Sequence, residues 1–114
     1  MAKPNVESNA TNLVKLCREF LLAADKQLGG KLFENRPHLD PRGRQEESAI
    51  QRCKDLLRDG FFQATFPSQL QQDMIGRDAL INSGVGYKSI KKTLTSEGLD
   101  PLVQILGHAA HRYK

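Results

Sequence analysis

This sequence predicts an all-α protein, a single compact bundle of five or six helices in one domain over residues 1–114. Three observations predict it. Apolar residues recur at helical spacing over 13–28 and again over 49–57. No stretch alternates apolar and polar side chains, and the β-branched residues are scattered. Gly and Pro cluster between the periodic runs, where they punctuate helices. Hydrophobic residues make up 39% of the chain, aromatic residues only 6%, and there is no Trp. The core is therefore expected from Leu, Ile, Val and Ala, which 114 residues are enough to bury.

The first expected helix lies in NATNLVKLCREFLLAADKQLGG. Leu13, Leu16, Cys17, Phe20, Leu21, Ala24 and Leu28 share one face. Asn9 or Thr11 can cap its start, and Gly29-Gly30 can end it. A basic loop is expected at 29–45, because Pro37, Pro41 and Gly43 break helices. Lys31, Arg36, Arg42 and Arg44 give that loop its charge. A second long helix follows with Ala49, Ile50, Cys53, Leu56 and Leu57 on one face. Glu46 and Glu47 near its start and Arg58 near its end suit the helix dipole. Asp59-Gly60 stops it.

In the middle of the chain, Phe61, Phe62 and Phe66 are expected in the core. Ser68 and Gln71 form a candidate capping box. They would start a short helix carrying Leu70, Met74 and Ile75, separated at Gly76 from another through Ala79 and Leu80. Gly84 and Gly86 mark a sharp connection to the last pair of helices. In that pair, YKSIKKTL precedes the turn TSEG, and Asp100-Pro101 open LDPLVQILGHAAHRYK as a cap and first helical residue. Ile90 and Leu94 then seal the first helix against Leu102, Ile105 and Leu106 of the second.

The chemistry-bearing motifs are thin. His38, His108 and His111 are the three histidines, and no HExxH or CxxC spacing accompanies them. The glycines of SGVGYKS lack the order of a phosphate-binding loop, and no nucleophile elbow occurs. No catalytic residue, metal or cofactor is therefore assigned, and an enzyme is not expected. Cys17 and Cys53 fall on apolar stripes and read as buried thiols in a reducing compartment. With no leader-like start and no apolar run of membrane-spanning length, a cytoplasmic or otherwise intracellular protein is expected, with no membrane partner.

A formal charge of +4 and a pI of about 9.3 are compatible with an acidic partner or with nucleic acid. Read as a helix-turn-helix, the last two helices would set Lys88, Lys91 and Lys92 on phosphates, extended by His108, His111, Arg112 and Lys114. The first two turns of the final helix are nearly all apolar, however, whereas a recognition helix needs polar side chains there. Glu97 in the turn also lies where phosphate would approach. A non-catalytic protein-binding module, possessing a helical-repeat-like C-terminal pair, fits these residues better. Its candidate contacts are Arg36, Arg42 and Arg44 in the loop and the polar end of the last helix. Nucleic-acid binding is the alternative, and self-association through an exposed apolar face is a third reading.

The stretch SIKKTLTSEGLDPLVQIL resembles the first helical repeats of the regulatory armadillo-type domain of diaphanous-related formins. Ser89, Ile90, Leu94, Glu97, Gly98, Leu99, Leu102, Ile105 and Leu106 carry the resemblance, over about residues 89–106. Ile90 stands where that family has a bulky aromatic residue. The resemblance implies a regulatory helical interaction module of cytoskeletal signalling that binds a small GTPase. It assigns no binding residue.

Overall fold

The computed structural model describes residues 8–112, and all of their regular structure is helical. Seven α-helices follow in order: α1 (Asn9–Gln27), α2 (Lys31–Asn35), α3 (Ser48–Arg58), α4 (Phe61–Thr65), α5 (Gln69–Ser83), α6 (Tyr87–Ser96) and α7 (Asp100–Arg112). A single 3-10 turn, Pro37–Leu39, sits between α2 and α3. The all-α bundle is as expected, but among the described residues it has seven helices instead of five or six; five have ten residues or more, and α2 and α4 are one-turn additions.

α1 is the hub of the bundle. It packs most extensively on α5, then on α3, and also touches α2 and α6. Leu13, Leu16, Cys17, Phe20, Leu21, Ala23 and Ala24 are buried along it. The cap is Ser8, whose Oγ accepts the Thr11 amide at 3.1 Å. Asn9 and Thr11, the expected caps, both lie inside the helix. The helix thus starts one residue before the Asn9 cap would place it, and Ser8 supplies the side-chain acceptor that this start needs.

The segment 29–45 departs from the expected open loop. Gly30 adopts a left-handed φ of 88°, which lets the chain turn back at once into α2. The buried Asp25 carboxylate accepts the Phe33 amide at 3.0 Å and so ties α2 to the end of α1. Leu32, Phe33 and Leu39 are buried in the main core. The Arg52 guanidinium donates to the His38 carbonyl and fastens the 3-10 turn to α3. Much of this segment is therefore a packed lid rather than a solvated connection.

α4 brings Phe62 and Phe66 inward, with ring centroids 5.4 Å apart, and Phe62 lies 5.6 Å from Phe20. Phe61 is only half-buried and packs at the edge of the core. The capping box at Ser68 and Gln71 forms as expected. Gln72, buried behind it, donates to the Phe66 carbonyl at 2.7 Å and to Gln63 Oε1 at 3.1 Å.

α5 is one continuous helix, not two pieces separated at Gly76. Gly76 is a close-packing site: a Cβ there would stand 3.1 Å from Ile105 Cγ2 and 3.3 Å from Ala109 Cβ. The missing side chain lets α7 lie against α5. At the next corner, Gly98 has a φ of 78°, and the Leu99 amide reaches back to the Leu94 carbonyl at 2.9 Å. α7 already includes Asp100, one residue earlier than its expected first helical residue. Ile90, Leu94, Leu99, Leu102, Ile105, Leu106 and Ala109 are buried between α6, α7 and the rest of the bundle. Among the described residues, no helix is long and apolar enough to cross a membrane.

Candidate functional site

The basic residues singled out in the sequence fall in several separate places. Arg36 ends α2 and lies half-buried with its guanidinium 4.0 Å over the Phe61 ring. Arg42 is spent on Asp40: Nε reaches Oδ1 at 2.9 Å and one terminal nitrogen reaches Oδ2 at 3.0 Å. Its guanidinium also lies 5.1 Å from the centre of the Phe33 ring. The hydrogen bond from Arg42 holds the Asp40 carboxyl below the usual carboxylate range, against the opposing effect of burial. Arg44 is exposed and lines a depression with Lys15, Arg18, Glu19 and Glu46, where both signs of charge mix. The loop arginines thus stitch the 29–45 lid to its own surroundings as much as they face solvent.

Lys88, Lys91 and Lys92 are brought together. They lie three and four residues apart on the outer face of α6, all exposed, and line a shallow depression with Thr95 and Ser96. Glu97, which sits in the following turn, instead approaches Lys54 of α3 at 3.8 Å.

His108 and Arg112 join a third area at the meeting of α5 and α7. Asp73 is fully buried in α5, with Gln69 Nε2 at 2.8 Å from Oδ1 and Arg112 Nε at 3.0 Å from Oδ2. His108, His111 and Gln69 complete the lining of that depression. A second depression, sharing Gln69 and His108, continues past Gln63, Gln72, Gln104 and Pro101. The result is a shallow groove of polar residues with mixed polar and apolar surface rather than an enclosed cavity. Lys114 lies outside the described residues.

Two features of this region were missed in the sequence. The Asp73–Arg112 pair spans 39 positions and leaves no local trace. The other is on α5 itself. Leu70, Met74 and Ile81 are 50%, 42% and 61% exposed, although all three are large and apolar. At 100° per residue, they and Arg77 fall in a stripe about 60° wide. The stripe lies opposite Ile75, Gly76 and Ala79, which face the core. α5 therefore carries apolar side chains on two opposite faces, the pattern of a helix enclosed on both sides. The spacing 70, 74, 77 and 81 was the available signal, hidden by the expected break at Gly76.

Cys17 and Cys53 are buried free thiols, as expected. The hydrogen bond between them and their burial push the Cys53 thiol well above its ordinary value, so it stays protonated and unreactive. Among the described residues, no cluster of His, Cys, Asp or Glu has the makings of a metal site.

Comparisons of the chain with protein-family models, with curated proteins and with solved structures gave no match.

Proposed function

We propose that this chain is a non-catalytic helical module that binds another protein, and that the outer stripe of α5 is its contact surface. One observation carries the reading: α5 is apolar on opposite faces, and Leu70, Met74 and Ile81 remain in water in the single chain. Isolated exposed apolar residues are ordinary, but three in line on one helix are the helix-in-groove pattern of protein recognition. The polar groove beside the N-terminal end of α5, with Gln69, His108 and Arg112, supplies a rim of hydrogen-bonding groups. The resemblance to formin regulatory domains agrees with an interaction role. Its apolar positions, Ile90, Leu94, Leu99, Leu102, Ile105 and Leu106, are all buried, so packing alone accounts for them.

A photo-reactive residue in place of Met74 tests the reading in whole-cell extract. A discrete protein adduct is expected, lost when Leu70 and Ile81 are both changed to Ser. No adduct above background, or one that survives those changes, counts against the α5 surface.

A second reading, nucleic-acid binding, draws on Lys88, Lys91 and Lys92 sharing one exposed face of α6. Against it stands the burial of Leu102, Ile105 and Leu106, which spends much of α7 on the core instead of on base edges. Anisotropy titrations with random DNA and RNA over a salt series separate the two. The module reading expects nothing tighter than generic affinity, about 10⁻⁴ to 10⁻⁶ M at physiological salt. Sub-micromolar, salt-dependent binding that Lys91→Glu with Lys92→Glu abolishes would reverse the ranking.

A further inference from the structure

We infer that the groove between α5 and α7 is a carboxylate-binding site, whose ligand is an acidic side chain on an extended segment of the partner protein. The inference rests on the reading of the chain as a protein-binding module and names what that partner carries. Two helices build the site. α5 supplies Gln69 and Asp73, four positions apart, and α7 supplies Gln104, His108, His111 and Arg112 at spacings of four, three and one. Each set shares one face of its own helix. Gln69 and Asp73 are also the chain neighbours of Leu70 and Met74, so the groove borders the exposed apolar stripe.

Arg112 is the anchor. Its Nε donates to the fully buried Asp73 at 3.0 Å, while the arginine side chain stays 49% exposed. Gln69 in turn donates to Asp73 at 2.8 Å, so one edge of the guanidinium is fixed by a carboxylate that is itself held. Among the described residues, the two terminal nitrogens of Arg112 have no hydrogen-bond partner, and neither do the Gln104 amide and the His108 and His111 rings. One groove thus gathers an ordered guanidinium and several unused N–H donors. A side chain that is already ordered loses little freedom when it closes a second pair.

The chemistry selects the ligand. Two terminal nitrogens in one plane match the two oxygens of a carboxylate. The Asp73–Arg112 pair is neutral as a unit, so a doubly charged phosphate would face Asp73 without a counter-charge. A single carboxylate meets one guanidinium flanked by N–H groups. The backbone amides of Asp73 and of Gln104 onward are engaged inside their helices. The site therefore lacks the backbone nest that captures a chain-terminal carboxylate, which leaves the side chain of Asp or Glu. The Gln104 amide continues the groove beyond His108 and can pair with the backbone of an extended segment.

Titration of the isotope-labelled full chain with the capped tripeptide acetyl-Ala-Glu-Ala-amide, at constant ionic strength, tests this by nuclear magnetic resonance. The signals followed are the His108 and His111 rings and the Arg112 Nε–H. Saturable shifts at all three are expected, with a dissociation constant of about 1–10 mM, the strength of one charge-assisted pair. The Gln counterpart of the tripeptide, inorganic phosphate and acetyl-glycine with its free carboxylate should each bind about fivefold more weakly or worse. Arg112→Lys, which keeps a charge beside Asp73 but loses the planar fork, should weaken the Glu tripeptide about tenfold. His108→Ala, at an exposed position, should weaken it about threefold with circular dichroism unchanged, and it decides the matter if Arg112→Lys does not fold. No saturable shift up to about 100 mM overturns the inference. So does equal binding of the Gln tripeptide, tighter binding of phosphate or acetyl-glycine, or full affinity in a folded variant. If the tripeptide binds while Met74 captures no protein in extract, the carboxylate site stands and the α5 stripe falls. If Met74 captures its partner while no carboxylate binds, only the carboxylate site falls.

Discussion

Asp73 has no solvent exposure, and two donors hold its carboxylate. Arg112, its ionic partner, is half in water, so the pair combines a desolvated anion with a hydrated cation. Removing the arginine leaves a buried carboxylate that keeps the Gln69 amide but has lost its charged donor. Arg112→Ala should therefore cost about 1–3 kcal/mol, the penalty for stripping a partner from a buried polar group, in urea melts. An unchanged midpoint would mean that water replaces the guanidinium without loss. Asp40 is the opposite case, a surface carboxylate held by Arg42. Its folded pKa is depressed, so its stabilisation is present above the unfolded carboxylate value and is lost as pH falls through the lower folded one. Asp40→Asn should flatten the acid limb of a stability–pH curve below about pH 4 and lower neutral stability by the same amount, which is small because the arginine is solvent-screened. A steeper acid limb in the variant would contradict that sign.

Between elements, the α5–α7 contact is set by one missing side chain. At Gly76 the two helices meet so closely that an added Cβ would press on Ile105 and Ala109. Gly76→Val should therefore lower stability by about 3 kcal/mol through overpacking. Ile105→Ala should cost about 2–5 kcal/mol by leaving a cavity in the same contact. A thermal melt that does not move in either variant would refute the close packing. Gly76 also shows why part of the fold was legible and part was not. α1 and α3 bury one stripe each, so their periodicity reads directly from Leu13 to Ala24 and from Ala49 to Leu56. The Ser68 capping box and the Gly98 corner are local chemistry and were equally readable. α5 has two apolar faces, which blurs a single period, and its glycine answers to a contact 29 or more positions away. α2 and α4, at five residues, are shorter than the window in which any period shows. The candidate surface was lost with the α5 reading, while the basic residues stood out because charge is visible without a fold.

At the scale of the whole chain, α1 touches four other helices, and its central residues are fully buried. The lid formed by α2 and the 3-10 turn is attached differently. It contributes Leu32, Phe33 and Leu39 to the core but is held at its edges by Asp25, the Arg52 guanidinium and the Arg36 and Arg42 ring contacts. α4 likewise hangs on Phe62, Phe66 and the Gln72 amide. Opening the lid breaks few helical hydrogen bonds and leaves the α1–α5–α7 stack in place. Opening α1 separates every layer at once. Native-state hydrogen exchange should therefore find the amides of residues 16–24 exchanging only through global unfolding, with a free energy equal to that from denaturant melts. The amides of 32–36 should exchange by local opening, several kcal/mol more readily. Phe20→Ala, which empties the hub beside Phe62, should lower the α1 protection by about 3–5 kcal/mol, in step with global stability. It should change lid protection much less, because local opening does not separate Phe20 from Phe62. Equal protection of lid and α1 in the native protein, or an equal loss from both on Phe20→Ala, would show that the lid opens only with the whole bundle.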